Sequence, residues 1–116
     1  MLPLEKKEEI MDSEKTTEAY LRDAVKAMGG RAYKFVSPGN NGVPDRLIVL
    51  PGPVYAFFEL KSLGKHSTPM QRKQQDALAR MGCLVYRDVA TRAEVAEILG
   101  RLAIMQRAVG PEGGAL

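Results

Sequence analysis

A chain of 116 residues with 45% apolar and 27% charged side chains is sized for one domain around one modest core, which excludes a two-domain enzyme and the disordered and collagen-like classes. Seventeen Lys and Arg against fourteen Asp and Glu give a net charge of +3, compatible with a polyanionic partner but not sufficient to require one. With Cys83 and His66 the only residues of their kinds, one chain forms no internal disulfide and builds no zinc site from Cys and His, and no carboxylate spacing makes His66 a triad base. Any metal here must be held by carboxylates.

No apolar run approaches the roughly 18 residues of a membrane span, and residues 1–12 are charged where a signal peptide needs an apolar stretch. A cytoplasmic protein is expected. Residues 1–12 read as a flexible charged lead, 13–109 as the domain, and 110–116 as a Gly-rich flexible tail.

The first helix runs from Ser13, a suitable N-cap with Glu14 in the first turn, to the stop at Gly29 and Gly30. Its apolar stripe is Leu21, Ala24, Val25 and Met28. Glu14 and Glu18 fall on or beside that inward stripe, where a carboxylate needs a partner. A strand over Arg31–Val36 follows, then a loop rich in turn formers from Ser37 to Pro44. Arg46–Leu50 and Val54–Lys61 are nearly continuous apolar runs joined by Pro51-Gly52-Pro53, the pattern of central strands covered on both faces by helices. After a polar loop over Ser62–Ser67, Thr68 caps a helix with Pro69 at its first position and Gln71 completing a capping box. A fourth strand covers Cys83–Arg87. A second capping box, Thr91 with Glu94, opens a closing helix marked by Val95, Ile98, Leu99 and Leu102. The order αβββαβα predicts an α/β fold: a small mixed central sheet flanked by helices, its first strands antiparallel and its last joined through a crossover helix.

Chemistry concentrates at Pro44-Asp45 and Glu59-Leu60-Lys61. Asp45 and Glu59 lie seven residues on either side of Gly52, so a hairpin centred there sets them opposite each other, Cβ atoms about 4.5 to 5.5 Å apart. Like charges so placed repel. A hard divalent cation turns that repulsion into ligation, and Mg²⁺ suits one or two carboxylates completed by water and phosphate oxygens. Alternation puts Lys61 on the face of Glu59 and turns Leu60 to the other layer, within reach of an attacking water or a phosphate. The competing reading is a cross-strand salt bridge at a solvated edge; the apolar strands around the trio argue instead for a cleft.

A helix Glu, then Gly42-Val43-Pro44-Asp45-Arg46, then Phe58-Glu59-Leu60-Lys61, with Gln71 ten residues after the lysine, resembles the virus-type replication-repair nuclease (VRR-NUC) family of the PD-(D/E)xK superfamily. The likeness spans about residues 14 to 100. It implies a restriction-endonuclease-like fold and a metal-dependent endonuclease hydrolysing DNA phosphodiesters, in a bacterial or phage-infected cell. Carried over by position, Asp45 and Glu59 match the metal carboxylates, with the Leu60 backbone carbonyl completing the shell. Lys61 matches the catalytic lysine, Gln71 the active-site glutamine, and Glu18 the first-helix acid and possible ligand of a second ion. Glu14, one turn earlier on the same face, is a rival for that acid, and capping alone also explains Gln71.

Mg²⁺, with Mn²⁺ as substitute, is the expected cofactor; no small-molecule cofactor and no membrane partner are expected. Lys34, Arg46, Lys65, Arg72 and Lys73 are the cations nearest the cleft in sequence and are expected on DNA phosphates, a solvated surface being the alternative for each. With no aromatic platform for unpaired bases, recognition by DNA shape is expected over base readout. The small domain favours a homodimer, whose two sites suit a four-way (Holliday) junction; Leu102, Ile104 and Met105 are candidates for its surface. Flap or restriction-type cleavage by the same site, and a binding module without catalysis, are the alternatives. The last is disfavoured because a phosphate binder gains nothing from two acids facing DNA.

Overall fold

The computed structural model describes residues 12–109; the rest of the stretches read as lead and tail, 1–11 and 110–116, lies outside the described residues. Helix α1 spans Glu14–Ala27, strands β1 Arg31–Lys34, β2 Arg46–Leu50 and β3 Val54–Leu60, helix α2 Pro69–Arg80, strand β4 Val85–Val89 and helix α3 Arg92–Val109. This is the αβββαβα order the sequence predicts. The four strands form one sheet in the order β1-β2-β3-β4, the first three antiparallel and β4 parallel to β3. Among the described residues no helix is long and apolar enough to cross a membrane.

The predicted caps form. Ser13 Oγ accepts from Thr16 N–H (3.1 Å), Thr68 and Gln71 close a reciprocal capping box, and Thr91 and Glu94 close another. Asp12, the last residue of the expected lead, accepts from Arg92 Nε (2.5 Å) and so ties the segment before α1 to the start of α3.

One face of the sheet carries the core. Ile48, Leu50, Val54, Ala56, Phe58 and Leu60 interlock there with Leu21 and Val25 of α1 and Val95, Leu99 and Leu102 of α3. Each of the larger side chains contributes about 1.5 to 3 kcal/mol of burial, Ala56 less. The other face departs from the expectation of two covered faces. Leu47, Val49 and Phe57 are only half-buried and Tyr55 is 55% exposed, because α2 packs beside β4 instead of across the sheet. A depression of about 570 Å³ remains there, walled by Tyr55, Phe57, Met81, Leu84 and Met105 among others.

The last strand begins two residues later than predicted. Its pairing explains the shift: Phe58 faces Tyr86 and Leu60 faces Val89, so Arg87 and Asp88 together oppose the single residue Glu59. The bulge is marked by Asp88, whose φ of +56° lies in the left-handed region that aspartate tolerates better than most residues.

Candidate active site

The β2–β3 register fixes the central pair. Arg46 pairs with Phe58 and Leu47 with Phe57, so the next step outward brings Asp45 to Glu59, as the hairpin arithmetic requires. Asp45 is held by its main chain and its side chain. Its carbonyl accepts from Phe35 N–H (2.9 Å), and its Oδ1 accepts from Leu60 N–H (3.2 Å). Burial pushes the Asp45 carboxyl up to about 6, with the charges of Glu59 and Glu14 adding to the rise and the Leu60 N–H opposing it. Glu59, only 3% exposed, is also raised by burial, against the pull of Lys61.

Glu59 Oε1 is buried and has no hydrogen-bond partner among the described residues. An orphaned buried carboxylate oxygen is costly to keep. Opposite it stands a second carboxylate, and this pair of hard oxygen donors fits a divalent cation such as Mg²⁺. No three His, Cys, Asp or Glu side chains gather into a cage among the described residues, so the pair suits an ion that keeps much of its hydration.

The lysine is held by α2. Gln71 Oε1 accepts both from Thr68 N–H (2.9 Å), closing the capping box, and from Lys61 Nζ (2.8 Å). Its Nε2 donates to Glu59 Oε2 (3.3 Å), which also lies 3.3 Å from Lys61 Nζ. The two sequence readings of Gln71, cap and site residue, are therefore compatible. Gly42 supports the same wall: its φ is +89°, and a Cβ there would stand 2.9 Å from the Met70 carbonyl oxygen. Gln74 Nε2 donates to the Asn41 carbonyl (3.2 Å), docking the loop that delivers Asp45 onto α2.

Helix α1 forms the opposite wall. Its buried Thr17 donates to the Ala90 carbonyl (3.1 Å), anchoring the helix beside the end of β4. Here the structure parts the two acids. Glu18 is bonded to the Arg46 guanidinium and lies 3.9 Å from that of Arg22. Glu14 is the helix acid whose charge acts on both Asp45 and Glu59.

The expected cations are distributed unevenly. Arg46 is only 8% exposed and besides Glu18 it donates to the Asp45 carbonyl (2.8 Å); its surroundings are those of a buried brace. Burial lowers its pKa, while Glu14 and Glu59 hold it up. Arg72 is exposed but donates to the Ser67 carbonyl (2.5 Å). Lys34, Lys65 and Lys73 are exposed.

One cluster escaped sequence reading. Asp88 Oδ1 accepts from Ser67 N–H (2.8 Å) and Oγ–H (2.6 Å), and Gln75 Nε2 donates to Ser67 Oγ (2.8 Å). This knot ties the bulge beside Glu59 to the loop between Lys61 and α2. No local signal marks it, since its members lie far apart in the chain and their burial is a tertiary property.

No family model matches the chain. It is 45% identical over 69 residues to "Putative nuclease p44" of Acyrthosiphon pisum secondary endosymbiont phage 1, a stretch covering 60% of this chain and 74% of that protein. A solved structure described as a VRR_NUC domain superposes with a TM-score of 0.70 at 26% identity, covering 75% of this chain and 94% of that one. The chain belongs to the VRR-NUC family. The motif stretches through which the sequence resembles that family, Gly42–Arg46, Phe58–Lys61 and Gln71, are the ones the fold gathers at one end of the sheet.

Proposed function

We propose that this VRR-NUC protein is a Mg²⁺-dependent endodeoxyribonuclease. The reading is carried by the pairing of half-buried Asp45 with buried Glu59, its orphaned oxygen and the adjoining lysine. Asp45, Glu59 and the Leu60 backbone carbonyl would hold the ion, which when bound supplies Lewis-acid polarisation of a phosphoryl oxygen and lowers the pKa of water.

The protein's own groups have separate tasks. Lys61, cationic and shielded from bulk water, orients the attacking water and counters the negative charge that grows on the phosphorane-like transition state. Gln71 holds Lys61 by its carbonyl and Glu59 by its amide, so that both meet the substrate preorganised. Leu60 N–H keeps the Asp45 carboxylate aimed across the hairpin. Glu14 is favoured over Glu18 as the helix acid and as ligand of any second ion, because Glu18 already serves Arg46. Lys34, Lys65 and Lys73 remain open to DNA phosphates, with Arg72 beside them.

For the substrate we infer branched DNA cut by a homodimer. Met105, Met81 and Tyr55 are exposed around the open sheet face and, with exposed Ile104 of α3, would supply the surface for a second copy; Leu102 belongs to the core. A dyad sets two sites against symmetry-related phosphates of a four-way junction. Light scattering with a cleavage panel over junction, flap, duplex and single strand at one salt concentration tests this. A dimer fastest on junctions is expected; a monomer, or a preference for flaps, would overturn the substrate assignment and leave the nuclease reading standing.

A further inference from the structure

A second pocket, of about 220 Å³, opens between α1 and β1 and is lined by Glu18, Leu21, Arg22, Ala32, Lys34 and Arg46. Its wall holds three cations and one acid. Arg22 is 58% exposed and Lys34 is exposed, while Arg46 stands behind them with its charge largely withdrawn from water. Glu18 is bonded to Arg46 and lies 3.9 Å from Arg22, which also has the exposed Asp23 at 4.0 Å outside the pocket; Lys34 forms no ion pair among the described residues. A concave surface with an excess of positive charge and one desolvated guanidinium focuses the field on anions.

Size and place narrow the ligand. At about 30 Å³ per liquid water, the pocket takes a tetrahedral phosphate with part of its hydration. The sheet register sets Lys34 beside Arg46 and Arg46 beside Phe58, one row across three strands, next to Asp45 and Glu59. Strands spaced about 4.8 Å apart put Lys34 on the order of 10 Å from that end of β3, a few nucleotides along a DNA strand that rises about 3.4 Å per step. Arg46 turns to the α1 side of the sheet and Asp45 to the other, so the pocket adjoins the reacting phosphate without sharing it.

We propose that this pocket binds a non-scissile backbone phosphate of the DNA substrate, through Lys34 and Arg22 with Arg46 behind them. The proposal rests on the nuclease reading and adds to it a subsite that fixes where along the strand the cut falls.

The test measures binding of the full chain to a fluorescent linear duplex by anisotropy across a salt series, with Ca²⁺ replacing Mg²⁺ to prevent cutting. The double variant Arg22→Ala/Lys34→Ala should bind about tenfold more weakly, with a log–log salt slope lower by about one, at an unchanged melting temperature. Arg101→Ala, which removes an exposed cation from α3, should keep the wild-type slope. Neutral methylphosphonates placed at one linkage at a time in a four-way junction, whose branch point fixes the binding register, should weaken wild-type binding at one linkage outside the cut, and add nothing there in the double variant. An unchanged slope in the double variant, an equal drop in Arg101→Ala, or a methylphosphonate penalty that persists in the double variant would overturn the subsite. Wild-type protein that neither binds nor cuts DNA would instead defeat the nuclease reading, a separate and recognisable result.

Discussion

The two walls of the cleft are built differently. On the α2 side, Gln71 touches Thr68, Lys61 and Glu59 through direct hydrogen bonds, so helix start, lysine and carboxylate are one rigid unit. On the α1 side no hydrogen bond among the described residues reaches either carboxyl group of the pair; exposed Glu14 acts on it through its field, and Arg46 braces the Asp45 backbone while spending its charge on Glu18. One wall is preorganised, and the other keeps an acid free for a ligand. Substitutions on the first should therefore cost stability and catalysis together, whereas on the second the two should separate.

The largest effect is expected from Lys61→Ala, which deletes the lysine proposed to counter transition-state charge: cleavage should fall by about 10²- to 10³-fold, followed by single-turnover kinetics. Retention of near-normal rate would remove the lysine from the mechanism.

Coupling within the α2 wall is read by comparing two cap variants. Thr68→Ala removes the cap alone and should cost about 1 kcal/mol in a denaturant melt. Gln71→Ala should cost a similar amount and in addition slow cleavage about 10- to 100-fold, because Lys61 loses its acceptor. Equal rates for the two variants would reduce Gln71 to a cap.

Across the α1 wall, Glu14→Gln should slow cleavage about tenfold with little change in melting temperature. Glu18→Gln should do the reverse, lowering the melting temperature more than the rate, because it leaves a nearly buried guanidinium without its counter-charge. The opposite ranking would return the helix-acid role to Glu18.

A smaller effect concerns pH. The folded metal-free protein holds a proton on Asp45 up to about 6, whereas the ordinary value is 3.8, so the unfolded chain releases it first. The stability this group contributes is present at low pH and is lost as pH rises through that window. Asp45→Asn should flatten the corresponding part of the melting profile. Mg²⁺ should raise the melting temperature above about pH 6 and have little effect near about pH 5, where the ion must displace a proton.

Local signals made most of the fold legible. Caps at Ser13, Thr68 and Thr91, the Gly29-Gly30 stop and the apolar stripes of α1 and α3 are written into neighbouring residues, and the symmetric hairpin about Gly52 gave the Asp45–Glu59 pairing. What stayed hidden is tertiary. Helical periodicity sets Glu14 and Glu18 on one stripe and cannot tell that Arg46, on a strand 28 residues on from Glu18, takes one of them. Nor does an apolar run reveal that α2 leaves half of one sheet face open, or that a bulge at Asp88 gathers Ser67 and Gln75 behind the site.

The most direct test of the Asp45–Glu59 pair as a metal site is Mg²⁺- and Mn²⁺-dependent cleavage by wild type and Asp45→Asn, alongside calorimetric titration of either ion into both proteins. The expected result is a folded variant that has lost tight ion binding and metal-dependent cutting, with Ca²⁺ supporting DNA binding but not cleavage in the wild type, since its looser shell positions water poorly. A well-folded Asp45→Asn protein that binds Mg²⁺ and cuts DNA at near the wild-type rate would contradict it.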